Sequence, residues 1–405
     1  MMQCLVIIPT TMNNYSFSAP LAWMFSDYPD KVKGIFGFQL TEELVKRYQF
    51  FIIELNWFIE LAEFKLLVEY IKEKNKDAKI LFGGMYSSLK YKEIFKHYDV
   101  DYFIQGDTEL PIEMFLDAVD PKKIPNFIGK DFENPITYVF KEEYYKDIDF
   151  NLDWFPSYFK YVEKNRMYQL PSIVTSKGGC GAVHKECDYC MGSKFGELKK
   201  IYNRPPIFMS NDSLMSLLEK LEKKFEVASL FICTEYNYDF SNEHFNIEMN
   251  VEIDSPVAIE KIEEILYAFK KCLLNISIYE EGLCGKAVRD NLKEIIALED
   301  NDHQVRFFSF NTEAVKFGIP EDHLLHSETV LPDWAHWDYY TDMGEALKFS
   351  NLFYKLHKKK KFSLTNSDIQ IKEIDEKNII SKEEENKINE KIKSNKQKIF
   401  ADFNV

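Results

Sequence analysis

The sequence predicts an α/β protein with three parts: an N-terminal Rossmann-like, doubly wound parallel sheet, a partial (β/α)6 barrel, and a charged helical C-terminal tail. Three observations predict it. Short apolar runs alternate with helix-period segments twice along the chain, and those of the first series are continuously apolar, as buried parallel strands require. Beyond residue 340 both patterns give way to dense charge. At 405 residues the chain exceeds the usual single-domain length. The expected divisions are 1–145 for the first sheet and a linker, 146–340 for the barrel, and 341–405 for the C-terminal helices and tail.

The first series of strands reads CLVIIP (Cys4 to Pro9), FFIIELNW (Phe50 to Trp57), KILFGG (Lys79 to Gly84) and VDYFIQG (Val100 to Gly106). Apolar residues at helical spacing fill Ile59 to Lys74 and Tyr91 to His97. Ligands of such a sheet lie beyond the carboxyl ends of its strands. Two features sit there. Gly83 and Gly84 leave room for close approach after the third strand, and QGDTELP follows the fourth, with Glu109 and Pro111 opening a helix. Each is equally readable as a tight strand-to-helix turn. No GxGxxG is present, so a dinucleotide site has no support. From Ile124, IPNFIGKDFENPITYVF suggests a small hairpin and KEEYYKDIDFNLDWFP a linker.

The second series begins with LPSIVTS (Leu170 to Ser176) and continues through a helix from about Asp212 to Phe225. ASLFICTE (Ala228 to Glu235) and NIEMNVEI (Asn246 to Ile253) follow, then a helix from Pro256 to near Lys270. CLLNISIY (Cys272 to Tyr279), QVRFFSF (Gln304 to Phe310) and SETVL (Ser327 to Leu331) complete six strands, with chemistry expected at their C-terminal ends. HKKKKF (His357 to Phe362) closes the compact part. Ser381 to Glu384 matches a capping box before a charged helix whose apolar positions, Ile388, Ile392 and Ile399, are sparse, as in a solvated tail.

A formal charge of −15 argues against a nucleic-acid partner, whose phosphates need clustered Lys and Arg. No run of about 18 apolar residues occurs, so no membrane span is expected. MMQCLVIIPTTMNN lacks a basic n-region and reads as a first strand, not a signal peptide. Seven cysteines, odd and sparse for this length, suit a reducing cytoplasm where thiols stay free or bind metal. Cys4, Cys233 and Cys272 lie on apolar strands and are expected in the core. Cys284 and the aromatic run Trp334 to Trp337 follow strands and read as a loop thiol and a packed lid.

Three cysteines are gathered in SKGGCGAVHKECDYCMGSK: Cys180, Cys187 and Cys190. A C-x-x-C pair brings two thiolates to one metal. Zinc would need a fourth ligand, for which His184 is the candidate. A disulfide suits neither the odd count nor the compartment. An iron–sulfur cluster with one iron free of protein sulfur fits three thiolates, and the free iron stays open to a small molecule.

This segment resembles the radical S-adenosylmethionine superfamily. The likeness lies in the strand IVTS, then KGGC, then Cys187-Asp188-Tyr189-Cys190 followed by MGS, all at the first strand of a partial barrel. It implies a [4Fe–4S] cluster on Cys180, Cys187 and Cys190, with S-adenosylmethionine on the fourth iron and Tyr189 beside it. The departure is the first gap, six residues here against the family's usual three. Glu235, ending the second barrel strand, keeps a carboxylate for the cofactor's ammonium although the family's glycines are gone, and it also reads as a surface Glu. The resemblance implies Ser277 and Glu280 for the ribose hydroxyls.

The run from ELNWFIEL to QGDTELP is similar to the cobalamin-binding domain that precedes many such enzymes, with Gly83, Gly84, Gly106 and Glu109 at the cofactor positions. The D-x-H-x-x-G motif of other corrinoid proteins is absent, as is usual in that subgroup. The implied function is reductive cleavage of S-adenosylmethionine and cobalamin-dependent C-methylation of an unknown small-molecule or peptide substrate, with flavodoxin or ferredoxin as electron donor. No catalytic side chain is identified. Two alternatives are a radical enzyme without functional cobalamin, performing a rearrangement or oxidation, and a non-catalytic zinc or iron–sulfur protein.

Overall fold

A computed structural model describes residues 3–9, 17–18, 24–56, 60–156, 158, 171–178, 195–232, 238–253, 258–278, 283–309, 319–320, 323, 343, 347 and 350. The strands are β1 (Cys4–Ile8), β2 (Phe17–Ser18), β3 (Val32–Phe36), β4 (Phe50–Glu54), β5 (Lys79–Gly83), β6 (Tyr102–Ile104), β7 (Phe127–Gly129), β8 (Pro171–Val174), β9 (Ser176–Lys177), β10 (Ile207–Phe208), β11 (Val227–Ile232), β12 (Phe245–Ile253), β13 (Phe269–Ile278) and β14 (His303–Ser309). The α-helices are α1 (Glu42–Arg47), α2 (Leu61–Lys74), α3 (Met85–His97), α4 (Glu109–Leu116), α5 (Phe195–Tyr202), α6 (Asn211–Glu222), α7 (Ile259–Tyr267) and α8 (Leu283–Ile296). Two units divide the chain: Met1–Val6, Asn13–Gly34 and Asp101–His336 form one, and Ile7–Met12, Ile35–Val100 and Trp337–Val405 the other.

In the second of these units β4 and β5 pair in parallel, from Phe50 opposite Lys79 to Glu54 opposite Gly83. α2 connects them, so the expected βαβ grammar is present. Leu61, Phe64, Leu67, Val68 and Ile71 recur at helical spacing on α2 and are all buried. Its first turn lacks a side-chain cap from Glu60; instead the Ala62 N–H donates to Ser350 Oγ at 2.8 Å, satisfying one donor that a helix start leaves unpaired. α1 starts conventionally, with Thr41 Oγ1 accepting from the Leu44 N–H.

In the other unit β6 pairs antiparallel with β7. The small hairpin expected after Ile124 is present as an antiparallel bridge between Ile128 and Glu133. A six-stranded sheet in the order β14-β13-β12-β11-β8-β2 is parallel throughout. Five of its strands are ones the sequence predicts. The sixth is β2, two residues from the N-terminal segment placed beside β8 with Phe17 opposite Pro171. The expected strand at 327–331 and the tail helix lie outside the described residues. Cys4 and Cys272 are buried, as their strands required.

The stretch read as a linker is core. Tyr145, Ile148, Phe150, Leu152, Trp154 and Phe155 are buried, Trp154 at 1% exposure. Phe25 packs on the Trp154 ring at 4.9 Å, and the Gly34 N–H donates to Trp154 O at 2.6 Å. Without a regular period the stretch reads as irregular, yet its aromatic density is what a packed segment needs.

Two outcomes follow from this packing. Trp154→Ala should cost about 3–5 kcal/mol in urea denaturation followed by circular dichroism, the range for deleting a buried Trp; a change within about 0.5 kcal/mol would return the stretch to linker status. Glu54, at the end of β4, has its carboxyl held above the usual range by burial, against a hydrogen bond with the Asn56 side chain that lowers it. The folded chain thus holds that proton more tightly than the unfolded chain, and stability falls as pH rises from about 4.3 through the folded-state pKa. Glu54→Gln should therefore raise the melting temperature at pH 8 and lose the advantage by pH 4. A pH-independent difference would contradict the burial argument.

Candidate functional site

Cys180, Cys187, Cys190, Tyr189, Glu235 and Glu280 lie outside the described residues. Ser277 is placed by its backbone in β13, opposite Phe308 of β14. The described residues do include both stems of the cysteine segment. β9 leads in from β8, while α5 and β10 lead out. β9 and β10 pair antiparallel, Lys177 opposite Ile207 and Ser176 opposite Phe208. One residue earlier, Thr175 is wholly buried; its N–H donates to Phe231 O at 3.0 Å and its carbonyl accepts from the Met209 N–H at 2.8 Å. The stems therefore leave from the carboxyl ends of β8 and β11.

A buried charge network grips both stems. Asp107, from QGDTELP, is 1% exposed and takes Arg204 as a bidentate partner: Nε to Oδ2 and Nη2 to Oδ1, each 2.6 Å. Arg204 follows α5 on the outgoing stem, and its Nη1 donates to Lys177 O on the incoming stem at 3.1 Å. The Lys177 ammonium is paired with Glu109, lies 3.7 Å from Asp107 Oδ1, and sits 4.5 Å from the centre of the Phe140 ring. Burial alone would depress the Lys177 pKa, but the carboxylates of Glu109 and Asp107 outweigh it and hold it above the ordinary value. Burial likewise lifts the Tyr202 phenol, opposed by the Lys177 cation.

The surroundings are fitted to this network. Gly178 has φ +78°, and a Cβ there would lie 2.8 Å from Arg204 Nη1, so the first glycine of KGGC is required twice over. Gly106 has φ +80°, and its Cβ position falls 3.0 Å from Ile201 O in the last turn of α5. Asn126, buried with φ +63°, donates to Asp107 O at 2.9 Å and accepts from the Thr137 and Tyr138 N–H groups. The Phe140 N–H donates to Asp107 Oδ2 at 2.8 Å. Of the residues expected at a cofactor, Gly106 and Glu109 thus belong to this network. Gly83 and Gly84 stand apart in the sequence, after β5. Gly84 has φ +110° at the start of α3, with its Cβ position 2.5 Å from Leu55 O, whereas a Cβ at Gly83 would meet nothing within 4 Å. Close backbone approach explains Gly84, and Gly83 opens on free space.

The parallel sheet has two unlike faces. Ala228, Leu230, Met249, Val251, Leu274, Ile276, Val305 and Phe307 are buried and apolar, and α6 and α7 pack on β12 and β13. The register puts Ser172 beside Ser229, Ser229 beside Asn250, Glu252 beside Asn275, and Asn275 beside Arg306 on the alternate positions. Asn275 Nδ2 donates to Asn250 Oδ1 and to Val251 O. Among the described residues, Asn275 Oδ1 and Ser229 Oγ are buried with no hydrogen-bond partner. A parallel sheet covered by helices on both faces is apolar on both. The alternate face here mixes these polar residues with Val174, Phe231 and Leu273, and its unpaired oxygens could meet a polar ligand.

The sequence reading does not single out Asp107, Asn126, Lys177, Gly178 or Arg204. Asp107 and Lys177 were within reach, two and three residues from Glu109 and Cys180. Nothing in the sequence pairs Asp107 with Arg204, 97 positions away. Among the described residues no group of three or more His, Cys, Asp or Glu side chains is placed to hold a metal ion.

No family model and no curated protein matches the chain. Solved structures do. The cobalamin-dependent S-adenosylmethionine radical enzyme OxsB, with aqua-cobalamin and S-adenosylmethionine bound, matches 88% of this chain at a TM-score of 0.52 and 12% identity. The chain spans 56% of the OxsB chain. The radical S-adenosylmethionine methyltransferase TsrM from Kitasatospora setae, with cobalamin and a [4Fe–4S] cluster bound, covers 76% of this chain and 75% of its own at a TM-score of 0.45 and 11% identity. A second TsrM structure, with tryptophan substrate and the S-adenosylmethionine analogue aza-SAM bound, covers 76% of this chain and 67% of its own at a TM-score of 0.48 and 12% identity. The α/β architecture read from the sequence stands, and the chain has the fold of the OxsB structure.

Proposed function

We propose that this chain is a radical S-adenosylmethionine enzyme that methylates carbon in a small-molecule or peptide substrate, with cobalamin as a second cofactor. One observation carries the reading: three cysteines spaced to hold a cluster with one open iron follow β8 in the sequence, and β8 belongs to a parallel sheet that carries unpaired polar oxygens on its alternate face. The fold shared with OxsB supports it. The donor set fits the group. Three cysteines suit a [4Fe–4S] cluster, and the unpaired Asn275 and Ser229 oxygens suit a polar ligand beside it.

Cys180, Cys187 and Cys190 would hold the cluster, which would supply one-electron reduction of S-adenosylmethionine and so radical chemistry at the substrate carbon. Cobalamin supplies a methyl carrier. The chain's own part is to bind and orient. Glu235 would take the cofactor's ammonium, Ser277 and Glu280 the ribose hydroxyls, and Tyr189 would lie beside them. Flavodoxin or ferredoxin would provide the electron, in the cytoplasm. Among the described residues no helix is long and apolar enough to cross a membrane.

A second reading, a radical enzyme without functional cobalamin, draws on one observation: Glu109, expected at that cofactor, is already paired with Lys177. Two experiments separate the readings. After anaerobic reconstitution with iron and sulfide, the chain should turn brown, absorb near 400 nm and cleave S-adenosylmethionine when reduced. Cys187→Ala should lose both properties. Stoichiometric zinc without cleavage would overturn the enzyme in favour of a structural metal protein. Incubation with hydroxocobalamin and desalting should leave corrinoid on the chain, whereas none retained would favour a rearrangement or oxidation.

A further inference from the structure

We propose that Asp107, Arg204, Lys177 and Glu109 form a positioning clamp that fixes the two stems of the cysteine segment and so sets how Cys180, Cys187 and Cys190 present to a metal. This rests on the metal-binding reading of those cysteines. It gives Glu109 a role at the segment's stem beside the cofactor role the resemblance implies.

The stems need such a device. The β9–β10 ribbon is two residues on each side, and a short two-stranded ribbon is marginal by itself. The 28 residues between Lys177 and Pro206 would have to be closed by that ribbon and the Thr175–Met209 bond alone. The network adds what they lack. One guanidinium joins Asp107 to the outgoing stem through its own backbone attachment and to the incoming stem through Lys177 O. The Lys177 side chain then ties the incoming stem to Glu109, in the first turn of α4. Gly178 leaves room for the guanidinium at the point where the chain departs toward Cys180.

The chemistry favours positioning over bulk stability. A buried ion pair gains little over apolar side chains of equal volume, because desolvation offsets attraction, but it admits one register and penalises others. Here the partners come from three separated stretches: 107–109, 177 and 204. Such a pair tells a segment where to sit.

The test uses the full chain, kept reduced and free of metal, with cobalt(II) as the thiolate probe. Hydrogen exchange should quicken at residues 176–178 and 204–208 in Asp107→Asn. Cobalt(II) affinity, read from thiolate charge-transfer absorption, should weaken about 10- to 100-fold in Asp107→Asn and in Lys177→Met, the range for groups that orient metal ligands. Lys177→Arg, which keeps the cation, should recover most of it. Should Asp107→Asn not fold, Lys177→Met carries both readouts, since its side chain is 15% exposed at the network's edge. Unchanged exchange in the stems overturns the clamp. Faster exchange with undiminished cobalt(II) and iron uptake overturns the positioning role. A wild-type chain that takes up neither metal refutes the metal-binding reading and the positioning role with it, while the exchange result still decides whether the clamp exists.

Discussion

Around the cysteine segment, everything depends on one desolvated pair: the Asp107 carboxylate and the Arg204 guanidinium. Both are buried, so each would be costly alone. Their bidentate geometry meets the cost, and the remaining valences are filled from the backbone. Asp107 Oδ2 also accepts from the Phe140 N–H, and Arg204 Nη1 serves Lys177 O and Pro205 O. Because no oxygen or nitrogen is spare, neither group can move without uncovering a charge. This rigidity spreads outward. Phe140 is drawn in beside Lys177, Asn126 adopts a positive φ to reach Asp107 O, and Gly178 and Gly106 occupy places where a Cβ would crowd the arrangement.

The same constraint explains why two motifs far apart in the chain belong together. QGDTELP reads naturally as the turn after a strand, and Glu109 as a group facing a ligand. SKGGC reads as the approach to a metal. The fold makes them opposite halves of one ion-pair network, with Glu109 on Lys177 and Asp107 on Arg204. Short motifs are legible one at a time because their turn chemistry is local. Their pairing depends on tertiary placement, which no spacing rule encodes. The glycines illustrate both sides. Gly84 is what a strand-to-helix turn alone would require, but the need for Gly178 becomes visible only once Arg204 is in place.

Legibility elsewhere follows the same division. β4 and β5 are readable because their runs are apolar along their length, and β8, β11, β12, β13 and β14 because apolar side chains recur along each run. α2 is readable from its buried stripe. β2 is not, because two residues carry no period and their strand character comes from pairing with β8. The 141–156 stretch misleads for a related reason: aromatic side chains fill space in any direction, so Trp154 and Phe155 are core without alternating. α3 begins at Met85, six residues before its apolar pattern, since Gly84 and not periodicity starts it. The polar neighbours Ser172, Ser229 and Asn250 in one row, and Glu252, Asn275 and Arg306 in the next, could be read only after the strands were in register.

The six-residue gap between Cys180 and Cys187 gains a physical meaning from the stems. Relative to three, it is a doubling, and the closure entropy of a flexible loop grows only by about 0.6 kcal/mol for each doubling. The longer gap is therefore no thermodynamic obstacle to three thiolates meeting at one metal. What it costs is definition, because a longer connection admits more arrangements of the same sulfurs. Holding the ends is what Asp107, Arg204, Lys177 and Glu109 are placed to do. A charge network at the stems is one way for a chain with the longer spacing to define where the segment starts and ends.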